Sequence, residues 1–175
     1  MKDLIEETLK ANQGNIVEIG GGYGENTKVF GEIAKKYQRK VLVIDPFESG
    51  WASMPQGYGG YAYKDFRENI KDYHDHVFIC FLPSQDSRCV EAIESIRPIA
   101  FAYVDGLQFK ASVISDLELM SKFDVPLIAV DDFDRQSPIS EVPIAIYEWL
   151  TYTPKYELIE NKDKRRAYLK LRNGK

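Results

Sequence analysis

Apolar residues along the chain fall into short runs separated by longer stretches with helical spacing. The short runs end at Gly, Pro or Asp, which is typical of buried strands. We predict five such strands, at residues 16–19, 41–45, 77–82, 99–105 and 126–130. The amphipathic stretches around them predict helices over 3–12, 28–37, 64–73, 109–120 and 140–150, and residues 84–87 are predicted to cap a further helix that ends at about Ile96.

The C-terminal part of the chain has a different pattern. Two apolar runs, 156–160 and 166–171, flank the polar segment 161–165, as in a β-hairpin. Strands that alternate with helices predict a doubly wound, mostly parallel sheet, and a closing hairpin adds antiparallel strands at one edge. We therefore expect an α/β fold with a seven-stranded sheet, forming one domain over residues 1–175.

One long stretch, residues 47–63, has neither helical nor strand periodicity, although it contains Trp51 and several tyrosines. Long loops without periodicity are commonly functional lids, and aromatic residues are unusual in plain disorder. We expect a mobile flap over a ligand, with a flexible surface loop as the alternative.

Composition narrows the classes of function. The chain of 175 residues carries a formal net charge of −4, which argues against nucleic acid as the main partner. No apolar run approaches the roughly 20 residues of a membrane span, and the acidic N-terminal helix is unlike a signal peptide. Cys80 and Cys89 lack metal-ligand spacing and are expected to be buried thiols in a reducing cytoplasm. The oligomeric state stays open, a homo-oligomer included.

A glycine-rich turn follows the first strand and precedes a helix. Such a turn lets a ligand lie against bare backbone at a helix N-terminus. A dinucleotide fingerprint, G-x-G-x-x-G, would need a third glycine where Glu25 stands. The observed spacing is instead G-x-G-x-G, formed by Gly20, Gly22 and Gly24, with Glu18 two residues ahead.

This E-x-G-x-G-x-G arrangement resembles the first motif of class I S-adenosylmethionine-dependent methyltransferases. The resemblance implies that Gly20, Gly22 and Gly24 face the methionine part of the cofactor, with Glu18 nearby. Five alternating units followed by an antiparallel pair also match the sheet of that family, so the resemblance covers essentially the whole chain.

Two further cofactor contacts are expected. Asp45 ends the second strand about 20 residues beyond the glycine turn, where a carboxylate accepts hydrogen bonds from ribose hydroxyls. The alternative for Asp45 is a turn or capping role. Asp86 and Ser87 resemble the position at which the family holds adenine, and they also suit an N-cap of the following helix.

Acidic residues follow other strands as well. Asp105 ends the fourth strand, and Asp131 and Asp132 follow the fifth. The carboxyl ends of neighbouring parallel strands meet at one edge, where unpaired carboxylates repel one another unless a cation or protons intervene. Oxygen ligands of this kind suit Mg²⁺, with Mn²⁺ or Ca²⁺ as alternatives. The other interpretation is that these acids only form turns and caps.

The segments Asp105-Gly106, Asp116-Leu117-Glu118 and Asp131-Asp132 resemble metal-dependent O-methyltransferases that act on sugars and natural products. The resemblance implies that Asp105, Asp131 and Asp132 bind a metal that acidifies the acceptor hydroxyl, with Asp105 and Asp132 as catalytic residues. The chain departs from the subgroup after Gly106, where Leu107-Gln108 replaces the usual Asp-His. The general base is therefore left unassigned.

The sequence thus predicts an S-adenosylmethionine-dependent O-methyltransferase for a small hydroxylated acceptor. A methyltransferase fold kept as a non-catalytic binding or scaffold protein is the first alternative, because the Asp-His pair is missing. A nicotinamide-dependent oxidoreductase is the second, and both the glycine spacing and the terminal hairpin disfavour it.

Overall fold

The computed structural model describes residues 1–47, 63–133, 141–159 and 165–172. Almost all of the predicted flap at 47–63 lies outside these residues. The helices of the described part are α1 (Lys2–Ala11), α2 (Glu25–Tyr37), α3 (Tyr63–Ile70), α4 (Arg88–Glu94), α5 (Lys110–Ser121) and α6 (Val142–Tyr152). Its strands are β1 (Asn15–Ile19), β2 (Val41–Ile44), β3 (Val77–Cys80), β4 (Ile99–Val104), β5 (Leu127–Val130), β6 (Tyr156–Ile159) and β7 (Ala167–Leu171).

The seven strands form one sheet in the order β3-β2-β1-β4-β5-β7-β6. Strands β1 to β5 are parallel to one another, whereas β7 is antiparallel to both β5 and β6. This topology confirms the predicted fold. The strand order reverses at β1, between β2 and β4, and open α/β sheets bind ligands at the carboxyl ends of the strands beside such a switch point.

Both faces of the sheet are covered by helices. Along β1, Ile16 faces the layer of α1, α2 and α3, whereas Val17 and Ile19 face α4, α5 and α6. The parallel strands are buried on both sides, which explains their nearly unbroken apolar sequences. The core therefore holds the strand ends rigidly beneath the crevice.

The start of one helix differs from the prediction. Helix α2 begins at Glu25, three residues earlier than predicted, because Gly24 adopts a left-handed φ of 83° and caps it. Helix α4 begins at Arg88, directly after the predicted capping segment 84–87, and the Asp86 amide donates a hydrogen bond to the Pro83 carbonyl in the turn before it. Cys80 is partly buried at the end of β3 and Cys89 is fully buried in α4, both as free thiols. None of the helices in the described ranges has the length and apolar content of a membrane span.

Candidate functional site

The glycine turn packs directly on the end of β4. Gly20 has a φ of +89°, and a Cβ atom there would lie 2.2 Å from the Asp105 carbonyl oxygen. Only glycine tolerates both this conformation and this approach. The turn therefore brings the backbone of β1 and β4 together at the switch point, next to the first turn of α2.

Asp45 holds the glycine turn in place. Its Oδ2 accepts hydrogen bonds from the backbone N–H groups of Gly21, at 2.8 Å, and Gly22, at 3.1 Å. Its Oδ1 accepts a third, from the Phe47 N–H at 2.7 Å. Asp45 lines the pocket, and its contact with a ribose stays a prediction. The three hydrogen bonds show the turn role that was the alternative for Asp45.

Glu18 lies beneath the turn. It is fully buried, and its Oε2 accepts a hydrogen bond of 2.5 Å from the Thr27 hydroxyl on α2. Burial raises the pKa of this carboxyl well above its usual value, against the opposing effect of the Thr27 hydrogen bond. Glu18 is outside the lining of the pocket and supports the turn from below, and its place near the methionine part of a cofactor stays a prediction.

A pocket of about 300 Å³ lies above these residues. It runs along the carboxyl ends of β3, β2, β1 and β4 and reaches Arg165, two residues before β7. Its lining consists of Ile19, Gly20, Gly21, Gly22, Tyr23, Glu25, Asn26, Ile44, Asp45, Pro46, Pro83, Ser84, Gln85, Asp105, Gly106, Leu107 and Arg165. Of the glycine motif, Gly20 and Gly22 therefore face the pocket, while Gly24 caps α2.

The adenine contact predicted for Asp86 and Ser87 stays a prediction, whereas the predicted N-cap is present at Ser87. Both residues lie outside the pocket lining, which includes Ser84 and Gln85 instead. The Asp86 carboxylate turns to Arg88, accepting hydrogen bonds from its backbone N–H and its guanidinium. These bonds lower the pKa of Asp86 to about 2.

Ser84 is positioned by a buried acid. Its hydroxyl donates a hydrogen bond of 2.5 Å to Asp116 Oδ1, on α5. Asp116 is almost fully buried, and burial raises its pKa to about 7 although the Ser84 hydrogen bond acts in the opposite direction. The first residue of the Asp-Leu-Glu segment, Asp116, thus supports the pocket wall from below.

Asp105 follows the last residue of β4 and lines the pocket. It is partly buried, and its Oδ2 lies 3.4 Å from the Asn26 amide nitrogen. Burial raises the pKa of Asp105 to about 7, and the charges of Asp131 and Asp132 raise it further while arginines oppose them. The predicted proximity of the three acids is therefore real.

The predicted metal ligands are nevertheless engaged with protein groups. Arg165 donates two hydrogen bonds to Asp131, from Nε to Oδ1 and from Nη2 to Oδ2, each at 3.0 Å. Asp132 has a left-handed φ of 58°, and its Oδ2 accepts a hydrogen bond from the Gln108 amide. In the part of the chain that the structure describes, no group of three His, Cys, Asp or Glu side chains could hold a metal. With Arg165 on Asp131 and Gln108 on Asp132, the set Asp105, Asp131 and Asp132 does not fit a metal in this arrangement.

Sequence reasoning missed Arg165 as a site residue. It stands in the polar segment predicted as the hairpin turn, where charged residues are ordinary. Its backbone carbonyl accepts a hydrogen bond of 2.8 Å from the Phe133 N–H, which fixes it beside the end of β5. Only the antiparallel register of β5 and β7, in which Val130 pairs with Ala167, reveals this neighbourhood.

Comparison with known proteins gives a fold but no sequence family. No protein-family model and no curated protein matches the chain. The solved structure of the O-methyltransferase NovP matches with a TM-score of 0.73 and 18% identity, over 98% of this chain and 79% of that one. CalS11, a TDP-rhamnose 3'-O-methyltransferase in calicheamicin biosynthesis, matches with a TM-score of 0.69 and 19% identity, over 97% and 77%.

An O-methyltransferase from Bacillus cereus in complex with SAH (S-adenosylhomocysteine) also matches. The TM-score is 0.65 at 16% identity, and the match covers 97% of this chain and 79% of that one. At such low identities the likeness establishes a shared fold. The chain thus has the O-methyltransferase-type fold that its sequence resembled.

Proposed function

We propose that the chain is an S-adenosylmethionine-dependent O-methyltransferase that acts on a small hydroxylated acceptor. The observation that carries the proposal is the pocket at the switch point, walled by the bare backbone of the glycine turn and by Asp45. The fold shared with NovP, CalS11 and the Bacillus cereus enzyme in complex with SAH supports the same chemistry.

The charges of the pocket suit this cofactor. Glu25, Asp45 and Asp105 all line it. S-adenosylmethionine carries a sulfonium and an α-ammonium group, and nearby carboxylates favour such cations in a partly enclosed space. A dinucleotide brings a negatively charged pyrophosphate instead, which Glu25 and Asp45 beside the glycine turn would repel, whereas the cation Arg165 lies at the far end of the pocket.

The lining suggests which residues would hold each part of the cofactor. The backbone of Gly20 and Gly22 would contact the methionine part, and Asp45 the ribose. Ser84 and Gln85, at the β3 end of the pocket, would lie against the adenine. Bound in this way, the cofactor would supply an electrophilic methyl group to the acceptor.

The acceptor would enter at the opposite end, near β4. Asp105 faces the pocket there, and we assign it as the general base that accepts the proton of the acceptor hydroxyl during transfer. Most of the acceleration would come from holding the hydroxyl and the methyl group in line. Asp132, predicted as a second catalytic residue, lies behind the pocket against Gln108 and receives no direct role.

Calorimetric titration with S-adenosylhomocysteine tests the proposal, with NADH titrated in parallel. Micromolar binding of S-adenosylhomocysteine without binding of NADH would support it. Absence of S-adenosylhomocysteine binding would overturn it, and binding of NADH instead would favour the oxidoreductase.

A methyl-transfer assay by mass spectrometry against hydroxylated sugars and phenols then tests the role of Asp105. We expect Asp105→Asn to bind S-adenosylhomocysteine and to lose transfer. The control Asp3→Asn, on the exposed face of α1, should retain both. Cofactor binding without transfer to any acceptor would favour the scaffold alternative.

A further inference from the structure

Arg165 is a positively charged side chain at the end of the pocket nearest β4 and β5. Its side chain is 55% exposed and lines the pocket together with Asp105, Gly106 and Leu107. Because β4 lies between β1 and β5 in the sheet, this end is the one farthest from Ser84 and Gln85. Arg165 therefore stands on the side at which the acceptor would enter.

The guanidinium of Arg165 is held rigidly. Both of its hydrogen bonds to Asp131 measure 3.0 Å, and the Asp131 side chain is 1% exposed. Arg166 also approaches the same carboxylate, with its Nε 3.5 Å from Oδ1. A bidentate pair of this kind fixes the plane and direction of the guanidinium, so Arg165 presents a preorganised group to the pocket.

This arrangement conflicts with a metal at the same place. A divalent cation bound by Asp131 would have to share the carboxylate oxygens with Arg165 or displace the guanidinium. The guanidinium and the metal would then lie within a few ångströms of each other in a partly buried site, where like charges repel strongly. Gln108 donates to Asp132 Oδ2, so one oxygen of the second candidate ligand is also engaged with the protein.

We propose that Arg165 receives the acceptor, and that the acceptor carries an anionic group, a carboxylate or a phosphate, near the hydroxyl to be methylated. This inference rests on the proposed function and names its substrate class. Arg165 acts as a specificity-determining residue, and transfer at this site requires no divalent cation. Guanidinium groups match the planar geometry of carboxylate and phosphate oxygens better than any other side chain does.

The methyl transfer needs no reactant other than the cofactor and the acceptor. The bond between the methyl carbon and sulfur breaks as the bond between the acceptor oxygen and that carbon forms. The hydroxyl proton passes to Asp105. The anionic group held by Arg165 keeps its charge throughout and serves to orient the neighbouring hydroxyl.

Acceptor binding can be measured on protein saturated with S-adenosylhomocysteine, using three sugars that differ in one group. Glucose is neutral, glucuronate carries a carboxylate, and glucose 6-phosphate carries a phosphate. We expect at least one charged sugar to bind about tenfold more tightly than glucose, which corresponds to one good charge-assisted contact. The charged sugar that binds more tightly than glucose shows whether the site prefers a carboxylate or a phosphate.

Two variants assign the effect. Arg165→Gln should abolish the preference for the charged sugar, whereas Arg165→Lys should keep part of it, because the charge remains while the bidentate fork is lost. Arg166→Gln is the matched control, since it removes another partner of Asp131 but lies outside the pocket lining. It should bind all three sugars like the wild type. Thermal unfolding of each variant verifies that it is folded.

The wild type alone supplies a test that needs no variant. Glucuronate binding should be the same in EDTA and in Mg²⁺. A roughly tenfold gain in Mg²⁺, or equal affinity for the neutral and charged sugars, would overturn the role of Arg165. If S-adenosylhomocysteine fails to bind while a charged sugar still binds through Arg165, the proposed function fails and the anionic subsite stands.

Discussion

The Thr27 hydroxyl donates a hydrogen bond of 2.5 Å to Glu18 Oε2, which joins the first turn of α2 to β1 directly beneath the glycine turn. Both residues are completely buried. Glu18 Oε1 has no hydrogen-bond partner among the described residues. Because burial raises the pKa of Glu18 well above 4.5, the carboxyl is favoured in its neutral form. The acid of the glycine motif thus acts through packing and one hydrogen bond.

Thr27→Val should destabilise the protein. The substitution keeps the shape of the side chain but leaves the buried Glu18 carboxyl without its donor, which typically costs about 1–3 kcal/mol. The double variant Glu18→Leu with Thr27→Val should recover part of the loss, because neither polar group then remains buried without a partner. Urea unfolding measures both. A Thr27→Val protein as stable as the wild type would show that this hydrogen bond contributes nothing.

Asp45→Ala should weaken both the fold and the binding of S-adenosylhomocysteine. The three backbone N–H groups of Gly21, Gly22 and Phe47 lose their acceptor, and we expect a loss of about 1–3 kcal/mol in the free energy of unfolding. Weaker cofactor binding alone would not prove a ribose contact, because the glycine turn itself would loosen. A second ligand is needed to separate the two effects.

The 2′,3′-dideoxy analogue of S-adenosylhomocysteine provides this separation. If Asp45 accepts hydrogen bonds from the ribose hydroxyls, the wild type should bind the analogue more weakly than the parent compound, and Asp45→Ala should bind both alike. This comparison forms a double-mutant cycle between protein and ligand. Equal discrimination by the two proteins would limit Asp45 to its role in holding the glycine turn.

The parts of the fold that the sequence predicted correctly are those with local causes. Strands β1 to β5 were recognisable as apolar runs because a parallel sheet is buried on both faces. The glycine turn was recognisable because a left-handed backbone and a close approach to β4 restrict Gly20 to one residue type. The position of Asp45 followed from the strand that ends before it.

The acceptor end of the site depended on contacts distant in sequence. Arg165 and Asp131 are 34 residues apart, and only the pairing of β5 with β7 places them together. Without this pairing, Asp105, Asp131 and Asp132 have the composition of a metal site, although arginine and glutamine groups contact two of them. Ser84 and Gln85 were not predicted to line the pocket, because the turn that begins at Pro83 leaves no periodic pattern in the sequence.

The two cysteines should differ in reactivity towards iodoacetamide. Their sulfur atoms lie 4.0 Å apart, but Cys80 is partly buried whereas Cys89 is fully buried and donates to the Pro83 carbonyl oxygen. Burial raises the pKa of Cys89 to about 12, so its reactive thiolate form is suppressed. Mass spectrometry should find Cys80 modified first in the native protein, and both modified in urea. Faster labelling of Cys89 would contradict its burial.

Asp116 should make the stability of the protein depend on pH. Its pKa is raised from 3.8 to about 7 in the folded protein, chiefly by burial. Between these values the folded protein holds a proton that the unfolded chain releases. Stability from this group is therefore full at low pH, falls as the pH rises through this window, and then levels off. A shift of this size corresponds to a change on the order of 4 kcal/mol.

Comparison of the wild type with Asp116→Asn isolates this contribution, because Glu18 and Asp105 titrate in both proteins and cancel in the difference. Unfolding in urea across the same pH window should show the wild type losing stability relative to Asp116→Asn as the pH rises. The control Asp72→Asn, at an exposed site, should follow the wild type. A constant difference between the wild type and Asp116→Asn would mean that Asp116 stays ionised in the folded protein and that Ser84 donates to a carboxylate.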